Sequence, residues 1–205
     1  IVCLVPKIHV KTGAVAGAEA VVRYHHKDLG IMDPGKYMNL LEETKLSHYL
    51  DLYVFEQVCK TLHKWEIEGL PMVPISVNFA GSTLRQENIV DKMLLLIEKY
   101  HVLCEYLEVE VSESNLDMNQ EMLAETSSKI RKANVRVILD HFGAKTSSFS
   151  ILSIMEFDGL KLDESLITNL VGNSRSRIVS KAVIDICRQL GAAVLAEGVE
   201  TQDQL

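Results

Sequence analysis

The chain has 205 residues, 47% of them hydrophobic, and a formal charge of −7. That suits one domain with a sizeable core, though an α/β barrel commonly takes somewhat more, about 250 residues. The acidic balance excludes broad contact with a nucleic-acid polymer, which needs a basic face, but not a small anionic ligand held through cations. In chain order, an apolar run from Ile1 to Val10 turns at Lys11-Thr12-Gly13 and re-enters a second run from Ala14 to Val22. So short a link joins only antiparallel strands. A helical segment follows, with Tyr37, Leu40 and Leu41 on one face and a close at Glu42-Glu43-Thr44. A second helix from about Ser47 to Trp65 carries Leu50, Val54, Val58 and Leu62 at helical spacing. Gly69-Leu70-Pro71 breaks it ahead of the strand VPISVNFA.

The next helix aligns Ile89, Met93, Leu96, Ile97 and Tyr100, and the strand YLEVEV follows. Then come a helix around Met118 to Arg131, the strand VRVIL, a short helix between Ser147 and Met155, and the strand GLKL. A helix from Arg177 to Leu190, with Ile178, Ala182, Val183, Ile186 and Leu190 expected inside, stops at Gly191 before AAVLA. Seven strands, most separated by helices, predict a parallel α/β barrel. An open doubly wound sheet gathers ligand groups near one switch point, whereas here polar groups end nearly every strand. Cys3, Cys59, Cys104 and Cys187 are far apart, form no CxxC pair and read as reduced thiols. No apolar stretch approaches a membrane span and nothing resembles a signal peptide, so this segment is expected to make no membrane contact. The chain opens inside a strand without an initiator Met and stops at what reads as the first turn of a helix. Residues 1–205 are therefore expected to be most of one domain cut from a longer protein.

Six strand-like runs end in Glu19, Asn78, Glu110, Asp140, Lys161 and Glu197. Singly, each has an ordinary explanation: a solvated strand-end carboxylate, a helix cap, a snorkelling lysine. In series they suggest a barrel whose strand ends converge on one face. Three Glu, one Asp and one Asn offer hard oxygens suited to divalent cations, with a lysine beside them.

Glu19-Ala20-Val21-Val22-Arg23, SerValAsnPheAla around Asn78, Glu110-Val111-Ser112-Glu113-Ser114, Asp140-His141-Phe142-Gly143, Lys161-Leu162-Asp163 and Glu197 to Thr201 occur in that order. This set resembles the EAL domain family, the bacterial phosphodiesterases and receptors of cyclic di-GMP. The resemblance implies a modified (β/α)8 TIM-like barrel with an antiparallel first strand, the chain ending before the last strand. It implies a first Mg2+ or Mn2+ held by Glu19, Asn78, Glu110 and Asp140, and a second held partly at His141. Lys161 and Glu197 take the catalytic places, positioning and deprotonating water. Arg23 holds a substrate phosphate together with Glu19, and Glu113 and Glu200 steady loops. The expected setting is bacterial and cytoplasmic, as a homodimer, beside sensory or GGDEF domains of the same chain that also supply any membrane tether.

Departures from the family pattern qualify this picture. His141 stands where the family has a second aspartate, offering one neutral nitrogen instead of anionic oxygens, so a second Mg2+ is expected to bind weakly. Manganese or zinc tolerates nitrogen better. Ala144-Lys145-Thr146 replaces a Thr-Gly-Tyr loop, Val21 a leucine, and Val5 a substrate-contacting Gln. The expectation is a degenerate member that binds cyclic di-GMP with weak or lost catalysis. The alternatives are an active phosphodiesterase with altered metal demand, yielding the linear dinucleotide pGpG, and a ligand-free dimer or partner scaffold.

Overall fold

The computed structural model describes residues 1–28, 30–32, 35, 37–112, 120–144 and 149–205. Strands β1 (Val2–Ile8) and β2 (Val15–Val22) form the expected antiparallel hairpin, with Val5 opposite Glu19 and Lys7 opposite Gly17. Its turn closes through the His9 N–H donating to the Ala14 carbonyl at 2.9 Å. A small hairpin, β3 (Tyr24–His26) with β4 (Gly30–Met32), follows and lies outside the main sheet. Its three-residue strands carry too little alternation to show in sequence. Helices α1 (Met38–Glu43) and α2 (Ser47–Ile67) lead to β5 (Ile75–Phe79). Next come α3 (Gly81–Leu84), α4 (Ile89–Tyr100), β6 (Leu107–Ser112), α5 (Gln120–Lys132) and β7 (Arg136–Phe142). The chain then runs through α6 (Ile151–Ile154), β8 (Gly159–Leu162), α7 (Glu164–Thr168), α8 (Ser174–Leu190) and β9 (Ala193–Ala196).

Seven strands make one sheet in the order β1-β2-β5-β6-β7-β8-β9, parallel throughout except for β1. Strands β2 and β8 stand four places apart, roughly 19 Å in a flat sheet, yet Lys161 on β8 reaches Glu19 on β2 at 3.0 Å. Only a rolled sheet permits that contact, and the result is a half-barrel with β1 and β9 as its edges. On the outer face, Ile75, Val77, Leu107, Val109, Val137 and Leu160 are buried against the helices. Phe55 of α2 meets Phe79 of β5 edge-on at 5.9 Å. The inner face is polar, because period-two alternation turns Glu19, Ser76, Asn78, Glu108, Glu110, Asp140 and Lys161 inward. Gly159 shares that inner face, and a Cβ there would lie 2.8 Å from Ile138 Cδ1, so a larger residue would require the Ile138 side chain to shift.

On helix α8, Val183 is buried and Ile186 packs against the core as expected, and the other three expected inside positions are corrected. Ser180, Val183 and Cys187 are buried, while Ile178 and Leu190 are 68% and 54% exposed and Ala182 is exposed too. The helix is apolar on two sides, and the side with the smaller Ser180 and Cys187 is the one that packs. Asn173 caps it by accepting from the Arg175 and Ser176 N–H groups, and Gly191 ends it in the left-handed region. The one-turn helices α3 and α7 are too short for periodicity to reveal. Among the described residues, no helix is long and apolar enough to cross a membrane.

Asp51 of α2 anchors the exit of β5, the strand that carries Asn78. Its Oδ2 accepts from the Ala80 N–H at 2.8 Å and the Thr83 hydroxyl at 2.5 Å. Burial pushes its carboxyl up to about 6, against the lowering by those two hydrogen bonds and with a small contribution from Glu42. A folded pKa above the unfolded one means that the folded state holds the extra proton, so this group removes stability as pH rises from about 4 to about 6. Asp51→Asn keeps an acceptor and removes that titration. Between pH 4 and pH 7, its unfolding free energy should gain on the parent's by on the order of 1–3 kcal/mol, read from urea unfolding at both pH values. A constant difference contradicts this assignment.

Candidate functional site

The strand ends converge on the Nζ of Lys161, a side chain only 2% exposed. It lies 2.8 Å from Glu110 Oε2, 2.9 Å from Glu197 Oε1, 3.0 Å from Glu19 Oε2 and 3.1 Å from Asp140 Oδ1. These four carboxylates come from β2, β6, β7 and the residue after β9. Asn78 joins through its Nδ2, which donates to Glu19 Oε1 at 2.7 Å. Sequence order thus becomes spatial convergence for Glu19, Asn78, Glu110, Asp140, Lys161 and Glu197.

Electrostatics divides the roles. Burial draws the Lys161 pKa down, but Glu110, Asp140 and Glu19 outweigh it and hold the ammonium well above its ordinary range. Lys161 is therefore a fixed positive charge and a poor proton acceptor. Burial pushes Glu110 up, and Lys161 and Lys7 more than reverse this, leaving it below its ordinary value. For Asp140, burial wins over Lys161 and the net direction is upward.

Adjacent strand residues normally face opposite ways, yet both Asp140 and His141 border the site. The register between β7 and β8 shifts between Leu139 and Phe142, and His141 has φ +57°. Such a bulge re-aims a side chain, and histidine is among the residues that tolerate the left-handed region. His141 Nε2 lies 3.5 Å from Asp140 Oδ2, and its Nδ1 lies 3.6 Å from Asp163 Oδ2 and 3.7 Å from Glu197 Oε2. Ligand atoms of Asp140, His141 and Glu197 all fall within 4.8 Å of one another. The donors fit cations of two kinds. Glu19, Asn78, Glu110 and Asp140 offer oxygens for a hard ion such as Mg2+ or Mn2+. The trio with His141 adds a nitrogen that Mn2+ or Zn2+ accepts more readily than Mg2+ does.

The other expected residues stand further out. Arg23 follows β2 half-buried, its Nη1 donating to the Val22 carbonyl at 3.0 Å. Glu200 is exposed, and its backbone N–H donates to Gln204 Oε1 at 2.8 Å. Glu113 and the Lys145-Thr146 part of the altered loop lie outside the described residues. Four further residues reach the cluster without having been given a role from the sequence: Lys7, Glu108, and Ser76 and Asp163, which lie within the quoted motifs. Alternation alone marks Ser76 and Glu108, two residues before Asn78 and Glu110 on the same strand faces. Asp163 borders His141, and its Oδ1 accepts the Ser165 N–H at 2.9 Å as the α7 cap.

Comparison with known proteins agrees with this geometry. The family model described as "EAL domain" matches residues 1–205. Cyclic di-GMP phosphodiesterase PA2567 of Pseudomonas aeruginosa is 29% identical over 198 residues, 97% of this chain and 34% of that protein. Cyclic di-GMP phosphodiesterase NbdA of the same organism is 30% identical over 200 residues, 98% of this chain and 26% of that protein. The chain thus spans well under half the length of either relative. Among solved structures, "PaMucR Phosphodiesterase, c-di-GMP complex" superposes with a TM-score of 0.91 at 25% identity, covering 100% of this chain and 83% of that one.

Removing the central ammonium leaves buried Asp140 without its lysine and buried Glu110 with Lys7 alone, a loss of about 3–5 kcal/mol at neutral pH. Lys161→Met should therefore unfold at markedly lower temperature than the parent at pH 7 without added metal. The deficit should shrink toward pH 5, because uncompensated buried carboxylates acquire raised folded pKa values and regain stability on protonation. Thermal unfolding at the two pH values reads this, and an equal deficit at both contradicts it.

Proposed function

The chain belongs to the EAL domain family, and from that premise we propose that it binds cyclic di-GMP through a divalent cation at its strand ends. Hydrolysis is weak or lost because His141 stands at the rim of the site. The observation that carries this reading is the oxygen set of Glu19, Asn78, Glu110 and Asp140 gathered beside Lys161, with an imidazole rather than a further carboxylate next to it. The names of the two relatives and the bound complex of the similar structure support the choice of ligand.

A cation bound there supplies Lewis-acid polarisation of a phosphoryl oxygen. The remaining work belongs to the chain. Lys161 holds four carboxylates in one place and offsets their repulsion. Glu197 has Oε1 fixed on Lys161 and Oε2 toward His141, so one oxygen is anchored while the other is placed to accept a proton from water. Arg23, at the mouth beyond Glu19, takes a ligand phosphate. Any hydrolysis breaks one phosphodiester P–O bond of the ring and releases a linear dinucleotide. The greater length of the relatives supports a place beside other domains of a longer chain; a cytoplasmic setting and homodimerisation belong to the same proposal.

A second reading, an active phosphodiesterase with altered metal demand, is favoured by the Asp140, His141 and Glu197 grouping. A hydrolysis assay on the protein and on His141→Asp separates the two, with product resolved by chromatography in Mg2+, Mn2+ and Zn2+. The proposal expects little turnover by the parent in any metal, and roughly tenfold or more from the variant in Mg2+. Parent turnover in Mn2+ or Zn2+ selects the second reading. Equal rates for both proteins in Mg2+ remove the role given to His141.

A further inference from the structure

Beneath the strand-end cluster, a second cation reaches into the interior of the half-barrel. Lys7 is half-buried on an edge strand whose residues Leu4, Val5, Pro6 and Ile8 are exposed. Its Nζ lies 2.9 Å from Glu108 Oε2 and 3.1 Å from Glu110 Oε1. Glu108 Oε1 in turn lies 2.9 Å from Arg136 Nη1. Gly17 lies directly opposite on β2, where an added Cβ would crowd the Pro74 carbonyl oxygen at 3.0 Å and meet Lys7 Cδ at an ordinary contact distance of 3.5 Å. Charges of alternating sign therefore run from Arg136 through Glu108, Lys7 and Glu110 to Lys161. With Glu19, Asp140 and Glu197 at its top, the column holds three cations against five carboxylates. Asp163 beside His141 adds a further carboxylate, so the site is net negative, as a cation site requires.

Glu110 is the joint between the column and the site. Its Oε1 accepts from the Ser76 hydroxyl at 2.5 Å as well as from Lys7, while its Oε2 faces Lys161. We propose that Lys7 and Ser76 are positioning residues: they clamp Oε1 of Glu110 and so leave Oε2 as the oxygen offered to the cation. Neither residue touches the reacting atoms. With both donors in place, the buried carboxylate cannot rotate without breaking their two hydrogen bonds to Oε1 as well as that of Lys161 to Oε2, and an unmade bond there is costly. Outer partners that fix a ligand in this way typically contribute 10–100-fold in metal affinity.

The inference rests on the cation-binding role proposed for Glu110, and its test reads binding rather than turnover. Mn2+ affinity is measured by isothermal titration on the metal-stripped protein, its Lys7→Met and Lys7→Arg variants, and the charge-neutral Ser76→Ala. Lys7→Met should lose roughly tenfold or more in affinity, Lys7→Arg should retain most of it, and Ser76→Ala should lose severalfold. Charge alone predicts the opposite sign for Lys7→Met, since removing a positive charge beside an anionic site tightens cation binding. Affinity equal to or tighter than the parent's in a folded Lys7→Met protein overturns the clamp. Should that variant fail to fold by circular dichroism, Ser76→Ala decides, and unchanged affinity there overturns the clamp. Absence of Mn2+ binding by the parent overturns the functional reading itself, and the clamp with it.

Discussion

Four carboxylate oxygens lie within 3.1 Å of one buried ammonium nitrogen. Without Lys161, four like charges from four places along the chain would have to share the mouth of a half-barrel. With it, β2, β6, β7 and the exit of β9 are drawn to a common centre, and the curl of the sheet is the geometry that lets them meet. The neighbouring strand choices follow. Leu160 and Leu162 turn outward to the helices, and Gly159 leaves the inner face open where Ile138 approaches. The helices cover the outer face and close the apolar core without entering the polar interior.

Burial of this many charges is poor economy for stability alone. Well-packed apolar residues of similar volume generally serve a fold as well or better than buried ion pairs. Groups held against desolvation in a cleft with perturbed pKa values more often mark a functional site. Carboxylates outnumber cations along the inner column and at its top, which leaves a net negative site suited to a cation. At the rim, His141 offers a nitrogen where a carboxylate would add charge and hard oxygens. On the proposed reading, the centre takes one cation of the magnesium type while its neighbouring position favours softer ions, and that asymmetry would separate binding of a cyclic dinucleotide from its efficient hydrolysis.

Much of this was legible in the chain. All seven strands of the main sheet are visible as apolar runs, and the short Lys11-Thr12-Gly13 link fixes the antiparallel start. The convergence of Glu19, Asn78, Glu110, Asp140, Lys161 and Glu197 follows from each standing at the end of such a run. Three kinds of information were not local. The pairing of Lys7 with Glu108 and Glu110 joins residues 101 and 103 positions apart and depends on the roll of the sheet. The bulge that brings His141 beside Asp140 is a backbone event that alternation predicts against. Helix α8 offers apolar residues on two sides, and only packing selects Val183 and Cys187 over Ile178 and Leu190. Glu113, expected to steady a loop, lies outside the described residues, so its role stays with the family resemblance.

The central claim is that the acidic strand ends around Lys161 form a cation-dependent cyclic dinucleotide site. Thermal unfolding with Mn2+, with cyclic di-GMP, and with both tests it most directly, because a ligand of the folded state must raise its stability. At a hundredfold excess over Kd, the gain is about 2.7 kcal/mol, several degrees for a domain of this size. The account predicts a rise with Mn2+ and a further rise when cyclic di-GMP is added in its presence. An unfolding temperature that moves with neither contradicts it.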